Sequence, residues 1–394
     1  MIKRLVLHIG DPKTGTSSIQ SAMQQGACRC GDVTILPQRE LNAVGLGKAL
    51  SCAEEAPEAC AAQLGRLARW ARSSDADIGL VSSEFLAEVQ PEVLKRALEA
   101  YLPELAAEAR VLAYVRPHCA RFVSAYGQRV KTGAAGGSPK QLAQRLINNE
   151  FLSYLPRFQA WEESFGDHFT LRPFVRSELR GGDIVQDFFD QVLAGRPFEL
   201  AGSFHVNEAL AVEEMAALRF VQKVFQAHEL DRSLRHQLGA AISDALGQLA
   251  GRYTRRLTLT QRDAQRIRAA YASDAQAMDA HFFDKPVMET AMRKAVAAAS
   301  PTFPKVKAEL YFEAERLEQL RALAAEVSAL LKTRPSAWML DRLSQEGQVD
   351  ETLATRFERL RNKRHIAKVW ALVGALAGLM LPPAHQRQPH ELTG

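Results

Sequence analysis

Three short, mostly apolar runs alternate with longer amphipathic segments in the first third of the chain. The runs cover residues 5–9, 78–81 and 111–115, and each is followed by a glycine or by polar side chains. Apolar runs of this length are typical of strands that are buried on both faces of a parallel sheet. Residues 59–70 and 91–101, which lie between the runs, have the pattern of helices. The alternation predicts an α/β fold with a mainly parallel central sheet flanked by helices.

The rest of the chain is predicted to be mainly helical. Residues 139–284 have helical patterns, with one further strand expected at residues 169–174. Three prolines then interrupt the chain, and beyond them apolar residues fall largely on heptad a and d positions, in a run too short for a coiled coil. This run favours an amphipathic helix packed on its own domain. We therefore expect one domain at residues 1–290 and a mainly helical C-terminal extension at residues 291–394.

The overall composition is that of a soluble globular protein, with 47% apolar and 24% charged residues. The net charge of +5 comes from 50 basic and 45 acidic residues spread along the chain. Such an excess supports attraction to anionic ligands without indicating nucleic acid, and no nucleic-acid-binding motif accompanies it. A nucleic-acid partner is therefore not expected.

The cysteines are five in number and have neither disulfide-scaffold nor zinc-site spacing. We expect no metal site, and a reducing cytoplasm fits this cysteine usage best. The N-terminus is basic and then apolar, but it runs directly into a glycine loop, which predicts a first strand rather than a targeting segment. The cysteines are Cys28, Cys30, Cys52, Cys60 and Cys119.

A glycine loop follows the first predicted strand and precedes a helix expected to begin at Ser17 or Ser18. At such a junction backbone amides converge on a phosphate. The glycine spacing is that of a P-loop, but Thr16 stands where a nucleoside triphosphatase has its lysine, and the lysine of this loop is Lys13. A turn without a ligand is the alternative interpretation. The residues expected to bind an anion are Gly10, Pro12, Lys13, Thr14, Gly15, Thr16, Ser17 and Ser18.

The segment LHIGDPKTGTSSIQ closely resembles the 5′-phosphosulfate loop of the sulfotransferase superfamily that uses 3′-phosphoadenosine 5′-phosphosulfate, with PKTGTS as the characteristic core. A second stretch, YVRPHCARFVSAYGQRVKTG, resembles the 3′-phosphate-binding element of the same superfamily. Arg116 at a strand end and Ser124 two helical turns later match its arginine and serine. Here Pro117 directly follows the arginine, whereas the family commonly has Asp or Asn before its proline. Taken alone, these side chains would be solvated arginines and a packing serine.

The resemblance implies sulfuryl transfer to a hydroxyl or amine of a carbohydrate or glycolipid, without a metal ion. Such transfer needs charge stabilisation on the leaving phosphate, for which Lys13 is the candidate, and a base for the acceptor proton. Glu84 follows the strand at residues 78–81 and is the candidate base. The alternative is that Ser83 caps a helix and Glu84 lies in its first turn. His8 and His118 are the reserve candidates.

The end of the chain contains five basic residues between positions 361 and 368, followed by an apolar run at residues 369–381. This run is shorter than the 20 or so residues that span a bilayer. A basic flank with an apolar helix fits peripheral contact with an anionic membrane, at the inner face of the cell membrane. A core helix or a subunit interface in a homo-oligomer is the alternative.

Two other functional classes remain open. A P-loop kinase or nucleotidase is disfavoured because no lysine follows Gly15 and no clear magnesium-binding aspartate is present. A non-catalytic, membrane-associated anion-binding protein would retain the loop but would not require Glu84.

Overall fold

The computed structural model describes residues 1–134, 139–147, 152–202, 209–345 and 352–383. The chain packs as two compact units, each built from three segments of sequence. The first unit comprises Met1–Arg121, Ile147–His205 and Arg266–Val296. The second comprises Phe122–Leu146, Val206–Gln265 and Ala297–Gly394. The predicted boundary at residue 290 divides the chain at one position along its sequence, whereas each of these units is a group of residues in spatial contact. The two divisions are of different kinds, and the predicted boundary stays a prediction.

The strands that the structure describes all belong to the first unit. They are β1 (Arg4–His8), β2 (Cys28–Arg29), β3 (Ile35–Pro37), β4 (Ile78–Ser82), β5 (Arg110–Val115), β6 (Phe169–Pro173) and β7 (Glu199–Leu200). Five of them form one parallel sheet in the order β3-β4-β1-β5-β6, and β2 pairs with β7 in an antiparallel ribbon. The predicted α/β fold with a parallel sheet is confirmed. The short strands β2, β3 and β7 were not predicted.

The helices flank the sheet in the first unit and make up the second. In chain order they are α1 (Thr16–Gln24), α2 (Val44–Ser51), α3 (Pro57–Arg72), α4 (Pro91–Tyr101), α5 (Pro103–Ala106), α6 (His118–Lys131), α7 (Pro139–Leu146), α8 (Tyr154–Phe165), α9 (Ile184–Val192), α10 (Val212–Ala227), α11 (Arg232–Gly247), α12 (Gln261–Met278), α13 (Val287–Ala297), α14 (Ala314–Thr333), α15 (Pro335–Gln345) and α16 (Leu353–Leu379).

The predicted apolar runs are the buried centre of the sheet. All five residues of β4 are buried, and in β1 only Arg4 is partly exposed. On one face of the sheet, Val6 and Leu80 pack against Ile19 of α1 and Phe188 of α9 in a single apolar cluster. Strands covered on both faces need apolar side chains at every position, which is why these strands show no polar alternation.

The second unit is a helical bundle with its own apolar core. The heptad-spaced residues Leu320, Val327 and Leu331 of α14 are fully buried in this core. This is the packing expected of an amphipathic helix on its own domain.

Helix α16 carries the apolar run that was expected either to lie on a membrane or to pack in a core. Val369, Val373 and Leu376 are fully buried in the core of the second unit. These side chains therefore pack in a core, as the alternative interpretation of the run expected. In the part of the chain that the structure describes, no helix combines the length and the apolar character needed to cross a bilayer. Residues 384–394 of the predicted tail lie outside the described residues.

Replacing Leu376, which is fully buried, by alanine should lower the free energy of unfolding by about 2–5 kcal/mol, because the substitution leaves a cavity in the core. The matched control is Leu353→Ala in the same helix, where the side chain is 86% exposed and the change should be within about 0.5 kcal/mol. Urea unfolding followed by circular dichroism measures both. If both variants changed the free energy of unfolding by the same small amount, the second half of α16 would lie outside the core.

Candidate functional site

The glycine loop between β1 and α1 stays attached to strand β5 after β1 has ended. The Ile9 amide donates to the Leu112 carbonyl at 3.0 Å, and the Asp11 amide donates to the Tyr114 carbonyl at 2.8 Å. In return the Tyr114 amide donates to the Gly10 carbonyl at 2.7 Å. The start of the loop is thus fixed to the strand that leads to Arg116.

Three residues of the loop have left-handed backbone conformations, Gly10 at φ 95°, Lys13 at φ 74° and Gly15 at φ 87°. At Gly10 an added Cβ would lie 3.3 Å from the Cα of Glu84, a tight contact, and the positive φ also disfavours a side chain, so glycine suits this close approach of the two backbones. Lys13 is a lysine in a conformation that non-glycine residues rarely adopt, and such residues concentrate at functional sites.

Helix α1 begins directly after the loop, with Gly15 at its N-cap and no side chain capping it. The first amides of a helix have no acceptor within the helix, and they carry a partial positive charge. The Thr16 hydroxyl is buried and has no hydrogen-bond partner among the described residues. Ser17 is exposed and Ser18 is buried. The start of α1 therefore offers donors to a ligand with negatively charged oxygens.

Side chains from distant parts of the first unit brace the loop. Arg157 of α8 forms a two-point ion pair with Asp11, at 2.7 and 2.8 Å. Arg121 of α6 donates to the carbonyl of Pro12. Within the loop, the Thr14 hydroxyl donates to the Asp11 carbonyl at 2.6 Å. The Asp11 carboxylate is neutralised by this pairing and does not oppose an anionic ligand nearby.

Arg116 follows the end of β5 and lies beside the loop. Its guanidinium stacks over the Phe174 ring at 4.6 Å, and an edge atom of that ring would be 3.3 Å from a Cβ on Gly15. Burial, with a contribution from the charge of Arg121, lowers the pKa of Arg116 to about 10. Its Nε is buried without a hydrogen-bond partner, and the described residues provide no carboxylate for it. A buried cation without a counterion is costly, so this position suits an anion.

Ser124, the predicted partner of Arg116, lies on α6 and is partly buried. It falls in the part of α6 that belongs to the second unit. It is therefore not among the side chains that the first unit brings together, and its pairing with Arg116 stays a prediction.

Glu84 opens a short 3-10 helix, Glu84–Glu88, directly after β4. The Phe85 amide donates to the Ser83 hydroxyl at 3.3 Å, so Ser83 does cap this turn, as the alternative interpretation expected. The Glu84 carboxylate is partly exposed, and no hydrogen-bond partner for it is found among the described residues. Its backbone contact with Gly10 places it next to the loop. The two interpretations are compatible, because Ser83 forms the cap and Glu84 lies next to the loop.

His8, a reserve candidate for the base, is fully buried in the sheet. Its Nδ1 lies 2.8 Å from the Ser82 hydroxyl oxygen, and that oxygen accepts from the Gln20 amide at 3.2 Å. Burial lowers the pKa of His8 to about 3. The imidazole is neutral at neutral pH, and its burial among Tyr114 and Phe188 argues for a structural role.

His118, the other reserve candidate, is also fully buried. Its ring lies between Tyr154, with a centroid distance of 4.4 Å, and Tyr271 at 4.9 Å. Its Nε2 is 3.1 Å from the Asp274 carboxylate, which also accepts from the Tyr154 and Leu155 amides at the start of α8. His118 thus belongs to the contacts that fix α8, and with it the Arg157 side chain.

Several contributors to the site were missed by sequence reasoning. Arg157 and Asp274 carry no local signal, because each acts through a partner more than a hundred positions away. Phe174 had a signal: it is the last residue of a predicted strand and so lies at the edge of the sheet where ligands bind.

No family model, curated protein or solved structure matches this chain. Among the described residues, no group of three or more His, Cys, Asp or Glu side chains is placed to hold a metal ion.

His8 should make stability depend on pH. Its pKa is about 3 in the folded protein and about 6.5 in the unfolded chain, so the unfolded chain binds a proton first as the pH falls. Its contribution to stability is complete above pH 6.5 and is lost between about pH 6.5 and 3, by up to about 1.4 kcal/mol per pH unit. In His8→Asn, which keeps an acceptor for Ser82, this slope should be absent.

The matched control is His228→Asn, because His228 is exposed. Urea unfolding between pH 4 and pH 7 gives the slope for all three proteins, and the control should keep the parent slope. If His8→Asn had the same slope as the parent protein, His8 would take up its proton as readily in the folded state as in the unfolded chain.

Proposed function

We propose that this chain is a sulfotransferase that moves a sulfuryl group from 3′-phosphoadenosine 5′-phosphosulfate to a hydroxyl or amine of a carbohydrate or glycolipid. The observation that carries the proposal is Arg116, a largely buried cation whose Nε has no hydrogen-bond partner among the described residues, beside a loop that resembles the 5′-phosphosulfate loop of that superfamily. A largely buried cation next to the N-terminus of a helix suits an anion with more than one charged group. A nucleotide with a phosphate at each end meets this requirement.

The loop is P-loop-like in its chemistry. A strand, a turn with glycines at positions 10 and 15, and a helix N-terminus follow one another, as in phosphate-binding loops. The residues proposed to bind the 5′-phosphosulfate end are Gly10, Pro12, Lys13, Thr14, Gly15, Thr16, Ser17 and Ser18. Arg116 and Ser124 are proposed for the 3′-phosphate, by their match to the second element of the superfamily.

The chemistry needs no metal ion, because one lysine supplies the compensating charge. The acceptor oxygen or nitrogen forms a bond to sulfur as the bond from sulfur to the phosphate oxygen breaks. Lys13 stabilises the negative charge that develops on that leaving oxygen. Glu84 takes the acceptor proton, and two features support its choice over the histidines: its carboxylate is partly exposed, and it adjoins the loop.

The kinase or nucleotidase alternative is weakened by Thr16, which occupies the place of the phosphate-binding lysine. The non-catalytic alternative shares the anion site and differs only in having no use for Glu84. The choice of a carbohydrate acceptor depends on the resemblance alone. A screen of glycan and glycolipid acceptors with radiolabelled sulfate donor tests it directly.

We place the protein in the cytoplasm. All five cysteines are free thiols, and a reducing compartment keeps them so.

The bisphosphate product, 3′-phosphoadenosine 5′-phosphate, should stabilise the protein without magnesium, by about 2.7 kcal/mol at 100 times its dissociation constant. Arg116→Ala should weaken its binding at least tenfold, because a charged hydrogen-bonding group is lost. Arg110→Ala is the matched control, since Arg110 lies at the opposite end of the same strand. Thermal shift and calorimetry measure both quantities.

A response to ATP with magnesium, together with no response to the bisphosphate, would favour the kinase alternative. Unchanged bisphosphate affinity in Arg116→Ala would remove that residue from the nucleotide site.

Glu84→Gln keeps the shape of the side chain and removes its basicity, so turnover should fall about a hundredfold while bisphosphate affinity stays the same. The control is Glu88→Gln, an exposed glutamate at the other end of the same short helix. Transfer of labelled sulfate to the acceptor found by the screen is the measurement. Parent-like turnover in Glu84→Gln would exclude Glu84 as the base.

A further inference from the structure

Helix α16 has two apolar faces, and the core of the second unit covers only one of them. Buried residues such as Ile366, Val369 and Val373 form the covered face. The first half of the helix also carries three large apolar side chains that are strongly exposed: Leu353 at 86%, Phe357 at 73% and Leu360 at 69%. These three side chains form the exposed stripe of α16. Their spacing of four and three residues places them on one side of the helix.

The exposed stripe points away from the bundle. At about 100° per residue, the stripe and the buried face lie on opposite sides of the helix. The stripe is displaced from the apolar run at residues 369–381 on which the expected membrane contact was based.

Basic side chains border the exposed stripe. Between positions 353 and 364 the helix has five basic residues and one acidic residue. On the helical wheel Arg356 and Lys363 flank one side of the stripe, Arg361 flanks the other, and Arg364 lies at its end. The one acid, Glu358, accepts a hydrogen bond from Asn362, a residue of the buried face.

The positive charge on both flanks of the exposed stripe distinguishes between the partners that could cover it. A second copy of the helix, packed in either direction, would bring basic flank against basic flank, which is unfavourable. A partner with negative charge on a wide, deformable surface matches both flanks and requires no complementary groove.

We propose that the first half of α16, residues 353–364, binds the surface of a bilayer that contains anionic lipids. Leu353, Phe357 and Leu360 enter the boundary between head groups and acyl chains, and the flanking arginines and lysines contact the lipid phosphates. The second half of the helix, buried in the core, holds this surface rigidly to the second unit. This attachment is independent of the chemistry proposed for the first unit.

The test uses the full-length protein and vesicles of phosphatidylcholine with and without about 30% phosphatidylserine. The parent protein should sediment with the anionic vesicles and stay in solution with the neutral ones, and added salt should weaken binding. Phe357→Ser with Leu360→Ser should lower the partition coefficient at least tenfold. Ala371→Ser is the matched control, because Ala371 is exposed on the same side of the same helix, beyond the basic segment.

A charge variant provides a second, independent test. Arg361→Glu with Arg364→Glu leaves the apolar stripe intact and should lower the partition coefficient more than tenfold, since each basic residue near such a surface corresponds to about fivefold. Melting curves show whether each variant is folded. If the serine variant has lost its fold, the charge variant decides.

The proposal is overturned if the parent protein stays in solution with anionic vesicles, or if folded serine or charge variants bind as the parent does. A dimer that light scattering detects and that Phe357→Ser dissociates, with no vesicle binding, would show that a second copy covers the stripe.

Discussion

Strand β1 is hydrogen bonded on both sides by parallel strands, and the geometry of the candidate site depends on this pairing. β4 and β5 flank β1, so the carboxyl ends of three adjacent strands reach one edge of the sheet. The loop follows the first of these ends, Glu84 follows the second and Arg116 follows the third. No side chain has to reach far, because the backbone itself brings the three positions together.

Electrostatics explains why this edge suits an anion. Asp11 is the acid nearest in sequence to Lys13, and its charge is already matched by Arg157. Arg116 lies over the Phe174 ring, and its burial, together with the like charge of Arg121, lowers its pKa. A folded protein tolerates a largely buried cation of this kind where a ligand can supply the missing charge, so its electrostatic cost is informative about function.

The central strands and the loop were predictable because their signals are local. An apolar run that ends at Gly10, or at Ser82 and Ser83, needs only neighbouring residues to be interpreted. The side-chain contacts that hold the loop were not predictable, because no residue near Arg157 in the sequence indicates that its partner is Asp11. The same limit applies to α16: the apolar run from Val369 onward does not reveal which of its faces is covered, since that depends on α11 and α14 packing against it.

The three sequence segments of the first unit have a consequence for the newly synthesised chain. The strands β1, β4 and β5 are complete once Val115 has left the ribosome, but the loop is not yet braced. Arg157 appears later, and the carboxylate that caps α8 and orders its first turn comes later still, at Asp274. A chain released early would therefore contain the whole sequence of the loop without the contacts that fix its shape. Because domains fold as units during translation, the candidate site would be among the last parts of this unit to form.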